Sequence, residues 1–182
     1  MKGIVFTEFM EMVENKFSPD LLDHIITDAN LPNGGAYTSV GTYDHREIVR
    51  LVLALGERSG VAVPELLQTF GQHLFGRFVV GFPRFFVDVP GTFAFLESID
   101  RHIHVEVRKL YPDAELPSFE HDRPSADCLH LVYRSDRAMA DLAQGLIEGC
   151  IEHFAEPMTL AREDLSQGRG SVVRFVVQRA PA

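Results

Sequence analysis

Residues 98–119 read SIDRHIHVEVRKLYPDAELPSF. The way this stretch folds decides both architecture and chemistry, because it carries two histidines one residue apart, His102 and His104. Ile103, Val105 and Val107 alternate as in a strand, where residues i and i+2 share a face and both imidazoles could bind one metal. Leu96, Ile99, Ile103 and Leu110 fit a helix instead, which sets the two histidines roughly 200° apart at the ~3.6-residue period. Phe95–Tyr111 is long and free of turn residues, which favours the helix, and Pro112-Asp113 marks its end. At most one histidine then faces a given site. A lone pocket histidine is more often a hydrogen-bonded core residue than a ligand.

Upstream, the helical texture continues. Val5, Phe9, Met12, Val13 and Lys16 form one stripe over residues 3–17, and Ser18-Pro19 opens a second helix over 18–30. Residues 31–43 are a loop punctuated by Asn33-Gly34-Gly35. Asp44 and Glu47 give a capping-box pattern ahead of a helix with the face Ile48, Leu51, Val52 and Leu55, which Ser59-Gly60 stops. Pro64 opens another, carrying Leu67, Phe70 and Leu74. The Phe- and Gly-rich run 75–96 reads either as a core-lining connector or as the wall of an apolar pocket, and composition favours the connector.

Downstream of Pro117, residues 127–135 are strand-like, with Leu129, Leu131 and Tyr133 on one face. A helix follows over 137–154 with the stripe Met139, Leu142, Leu146 and Cys150. MTLAREDL and GSVVRFVVQRA read as two closing strands. Helices first, then a small antiparallel sheet interrupted by one helix, is an α+β order.

The whole chain bounds the rest. Its 182 residues suit a single domain, and 17 basic against 26 acidic residues give a net charge of −9, which argues against nucleic acid. No apolar run is long enough to span a membrane, and the start is not expected to act as a signal peptide. Two distant cysteines, Cys128 and Cys150, indicate neither a disulfide framework nor a CxxC site, so a reducing, cytoplasmic home is expected.

One further constellation bears on the lone histidine. In YRSDR (133–137), Tyr133, Ser135 and Arg137 are spaced by two and share a face on an extended segment. A phenol, a hydroxyl and a guanidinium fork suit one or two carboxylates. With a Phe-rich pocket and one helix histidine, they describe a large apolar ligand with carboxylates on one edge and an axial site for imidazole. Haem meets these demands.

The opening MKGIVF, the segment IHVEVRKLYPDAELPSF, YRSDR and GLIEG, in this order across nearly the whole length, resemble the haem–nitric oxide/oxygen binding family. These H-NOX domains are related to the haem domain of soluble guanylate cyclase. The resemblance implies a helical N-terminal lobe over about 1–62 and a haem-cradling lobe over about 63–182. It implies non-covalent haem b with His104 as the iron ligand, since Tyr111-Pro112 and Pro117-Ser118-Phe119 fix that position. His102 then lies off the iron-facing side. Tyr133, Ser135 and Arg137 would grip the propionates, Pro117 would press on the porphyrin, and Val5, Leu142 and Leu146 would pack around it.

Two departures matter. Oxygen-binding members carry a tyrosine nine residues beyond the motif's first; here that position is Leu142. The cysteines of a structural zinc site are also missing. Bound dioxygen carries negative charge that a buried donor stabilises by roughly 1.5–3 kcal/mol, about tenfold to over a hundredfold in affinity. Leu142 offers no donor, so the expected ligands are NO and CO. The expected role is a non-enzymatic gas sensor that signals, by weakening of the His104–iron bond, to a separate histidine kinase or cyclic-di-GMP enzyme. The rival readings are a peroxidase- or oxygenase-type haem enzyme, with His73 or His153 as the distal acid–base group, and a zinc hydrolase using His102 and His104.

Overall fold

The computed structural model describes residues 1–181. Helix α1 (Gly3–Lys16) buries Phe6, Phe9, Met12 and Val13 and leaves Val5 half-buried. Phe6 is fully buried because the loop over 31–43 folds over it, Tyr37 stacking at 4.4 Å and Tyr43 meeting it edge-on at 5.6 Å. Helix α2 (Pro19–Ala29) starts at Ser18, whose hydroxyl accepts from the Leu21 N–H at 3.1 Å.

Asp44 caps α3 (His45–Ser59) by accepting from the Arg46 N–H at 2.9 Å. The expected capping box does not close, because the Tyr37 hydroxyl donates to the Glu47 carboxylate at 2.8 Å and holds it toward the loop.

Helix α4 (Val63–Gly81) runs well past Leu74, into the stretch that composition assigns to a connector. Its length comes from α7 (Ala140–Phe154), against which it packs almost without spacer. A Cβ at Gly145 would lie 2.0 Å from the Gln68 carbonyl oxygen, and one at Gly71 would lie 2.5 Å from that of Leu142. Gly145→Ala must therefore push the helices apart. We expect it to cost about 1–3 kcal/mol, read as a lower urea midpoint at unchanged slope. An unchanged midpoint would contradict so close a crossing.

After a 3-10 turn (Pro83–Phe85), residues 92–110 form α5 (Thr92–Ser98), a π-helical stretch (Ile99–Ile103) and α6 (His104–Leu110) in unbroken succession. Residues 98–110, with both histidines, are thus helical. Strands β1 (Ser118–Ser125), β2 (Cys128–Arg134), β3 (Met158–Asp164) and β4 (Val172–Arg179) make an antiparallel sheet in the order β1-β2-β4-β3. The pairs Leu129–Val177, Leu131–Phe175 and Tyr133–Val173 alternate onto the buried face. Strand β1 has no counterpart in the sequence reading. It is a mostly exposed edge strand, rich in charge, with a register shift between Asp122 and Ser125 that accommodates Pro124. The architecture is α+β.

Two apolar cores result. One gathers α1–α4 with Met139 and Leu142; the other gathers Phe75, Phe93, Phe95 and Leu96 with the sheet and α7. They meet along α4 and α7, since α4 gives Phe70 and Leu74 to the first and Phe75 to the second. Among the described residues, no helix is long and apolar enough to cross a membrane.

Candidate functional site

A large cavity lies between these cores. Ile4 and Val5 of α1, Leu74, Phe75 and Phe78 of α4, and Leu142, Ala143, Leu146 and Ile147 of α7 line it without a single polar side chain. Phe82, Phe85, Phe86 and Phe95 line it too, so the Phe-rich run is a pocket wall rather than merely a connector. Sequence could not separate the two because both demand apolar residues; the extension of α4 turns Phe75 and Phe78 inward.

His104, the first residue of α6, also lines the cavity and is 9% exposed. Its Nδ1 lies 2.7 Å from Asp100 Oδ1, and Asp100 Oδ2 accepts the Phe119 N–H at 2.8 Å. A carboxylate only accepts, so Nδ1 carries the proton and Nε2 keeps its lone pair. Burial holds the imidazole pKa below its usual value, against the opposing pull of Asp100. A neutral imidazole with a fixed tautomer is the form that binds a metal. Asp100 was not singled out from sequence, although its i−4 spacing from His104 on a helix was the signal available. His102, by contrast, is exposed and meets the edge of Phe85 at 6.2 Å.

Tyr133, Ser135 and Arg137 all reach the cavity, but not along one strand. Strand β2 ends at Arg134, and a turn carrying Ala138 at φ 51° brings Arg137 back to the rim. The turn is held by the Arg137 N–H donating to Ser135 Oγ at 3.2 Å and the Met139 N–H donating to Tyr133 Oη at 3.1 Å. With its oxygen engaged by an N–H, the phenol keeps its own proton to donate. Burial raises the Tyr133 pKa, so the hydroxyl stays protonated. Arg137 donates from Nη2 to the Glu115 carboxylate at 2.6 Å and from Nη1 to the Glu115 carbonyl at 2.9 Å. Glu115 is 85% exposed at its side chain, so its carboxylate can give way to another. Pro117 lines the same rim.

The other histidines stay outside. His73 lies beside Glu8 at 3.6 Å between α4 and α1, and His153 packs on Phe86 and Phe154; neither lines the cavity. Among the described residues, no three His, Cys, Asp or Glu side chains gather as a metal cluster. A zinc hydrolase site would need His102 and His104 on one face, and the helix separates them. The site would instead suit a single bond from His104 Nε2 to a metal carried by a large apolar ligand, with donors for carboxylates at the rim.

Several known proteins match this chain along its length. The haem-NO-binding family model matches residues 2–162. An H-NOX protein from K. algicida, solved in its Fe(II) unliganded form, is 38% identical, with 100% of this chain and 98% of that one covered and a TM-score of 0.94. The H-NOX from Shewanella woodyi, solved with IWP-051 in the Fe(II)CO state, is 43% identical, with 100% and 95% covered and a TM-score of 0.85. An H-NOX protein from S. oneidensis in the Fe(II)NO state, 21% identical with 100% of both chains covered, shares the fold at a TM-score of 0.91. No functionally curated protein matches the chain.

Proposed function

The chain belongs to the haem-NO-binding family, the H-NOX proteins, and on that footing we propose that it is a sensor of NO and CO that discriminates against oxygen. The observation that carries this reading is the buried neutral imidazole of His104, its Nε2 unprotonated, in a cavity whose α1, α4 and α7 walls are wholly apolar. Haem b, held without covalent attachment, supplies a ferrous iron that binds diatomic gases.

Around it the chain's residues divide the work. His104 offers Nε2 to the metal, and Asp100 keeps the proton on Nδ1. Tyr133, Ser135 and Arg137 present donors to the propionates at the rim, Arg137 exchanging Glu115 for one of them. Pro117 stands on the rim, and Val5, Leu142 and Leu146 exclude water from the gas side. No donor there can stabilise negative charge on a bound gas, so oxygen gains nothing while NO and CO lose nothing. Were the bond to His104 weakened, α5, the π-helical stretch and α6 would be free to move against the N-terminal helices, and this differential arrangement would be the signal. The output passes to a separate effector of the histidine-kinase or cyclic-di-GMP class, not to chemistry in the cavity.

The absorption spectrum of the reduced protein tests the reading. A strong Soret band should appear, shift on addition of NO and on addition of CO, and under air give only slow oxidation. A colourless protein would overturn the haem assignment. A persistent new spectrum under air would overturn the discrimination against oxygen, and peroxide turnover would favour the enzyme. Leu142→Tyr would place a phenol in the apolar wall and should slow the loss of oxygen, provided overpacking of about 1–3 kcal/mol is tolerated.

A further inference from the structure

We infer that Asp100 is a positioning residue that sets the strength of the bond made by His104 and fastens that imidazole to the sheet. The inference rests on His104 being the axial ligand. Both carboxylate oxygens are committed, Oδ1 to His104 Nδ1 at 2.7 Å and Oδ2 to the backbone N–H of Phe119 at 2.8 Å. Asp100 lies in the π-helical stretch that leads into His104. Within Ile99–Ile103 the backbone is wider than an α-helix, the His104 N–H reaching back five residues to the Ile99 carbonyl. Asp100 thus stands one turn before His104 on the same face, beside the first residues of β1.

Phe119 is more than a backbone donor. It pairs across the sheet with Tyr133, its ring 5.6 Å from that phenol and 6.0 Å from the His104 imidazole. One carboxylate therefore joins the axial histidine to the strand pair that ends in the propionate-binding turn. Two consequences follow from general chemistry. A carboxylate accepting from Nδ1–H raises electron density at Nε2 and strengthens its bond to a metal. A two-point anchor also makes the imidazole follow β1 as well as α6, so loss of the metal bond strains the sheet edge along with the helix.

The test uses the haem-loaded protein and its Asp100→Asn and Asp100→Ala variants, with His102→Ala as control. Asparagine keeps the shape and one acceptor but loses the charge. The iron–histidine stretching band of the reduced protein should fall in frequency in Asp100→Asn and further in Asp100→Ala, and stay put in His102→Ala. Haem transfer to a scavenger apoprotein should speed about 10–100-fold in Asp100→Ala. In the haem-free protein, ¹⁵N shifts should show His104 as the Nδ1–H tautomer, and as a tautomer mixture in Asp100→Asn. An unchanged stretching band in a haem-loaded Asp100→Asn protein overturns this role while leaving His104 as ligand. A wild-type protein with haem but no iron–histidine band overturns the reading beneath it. Should Asp100→Ala fail to fold, Asp100→Asn and the wild-type ¹⁵N shifts still decide the matter.

Discussion

Purified His104→Gly protein should emerge without stable haem, and its Soret band should return when imidazole is added. The expected loss exceeds the roughly 10–100-fold that removal of a partner behind a metal ligand costs, because the metal bond itself is gone. Imidazole can replace the side chain because the glycine leaves an imidazole-sized space on an already apolar cavity wall. The substitution also places glycine inside the continuous helical run 92–110, at about 1 kcal/mol relative to alanine, so circular dichroism should show the fold retained. His102→Ala should bind haem as the wild type does, its ring being exposed and outside the cavity. If His102→Ala loses haem and His104→Gly keeps it, the ligand assignment is wrong.

Arg137→Ala should retain haem less well, losing it about tenfold to over a hundredfold faster. That range corresponds to roughly 1.5–3 kcal/mol for a charge-assisted hydrogen bond. The Arg137 side chain is only 16% exposed and already holds a carboxylate, that of Glu115, so its fork is oriented before any ligand arrives. Glu115→Gln, which weakens only the competing side chain, should not speed haem loss. Haem transfer to a scavenger apoprotein measures both variants. Equal rates for Arg137→Ala and wild type would make the rim arginine a partner of Glu115 alone.

Much of this was legible in the residues. The apolar stripes at helical spacing, Ser18 and Asp44 as caps, and the alternation of Leu129, Leu131 and Tyr133 are local signals, and local backbone physics obeys them. The three-way spacing of Tyr133, Ser135 and Arg137 points to residues that do all reach the cavity, but for an imperfect reason. A strand was expected to aim all three, whereas a turn with a left-handed alanine does so after β2 has ended. Strand β1 was invisible because SFEHDRPS has little apolar alternation, and its place depends on hydrogen bonds offered by β2. The Glu47 half of the capping box failed because Tyr37, distant in neither sequence nor space, competes for the same carboxylate.

By itself the sequence determined the helix-then-sheet order, the choice of a helix over a strand around His102 and His104, and hence that only one of the two could face a cavity. Periodicity fits either element there; the length of Phe95–Tyr111 and its lack of turn residues decide for the helix, and backbone geometry then fixes which residues share a face. Only the tertiary structure decided that the Phe-rich run lines a pocket, that α4 continues to Gly81, and that Asp100 stands between His104 and Phe119. Each depends on partners far along the chain: glycine-mediated contact of α4 with α7, and a β1 backbone N–H nineteen residues from the carboxylate it meets. Burial and hydrogen-bond satisfaction are settled only when those distant surfaces come together.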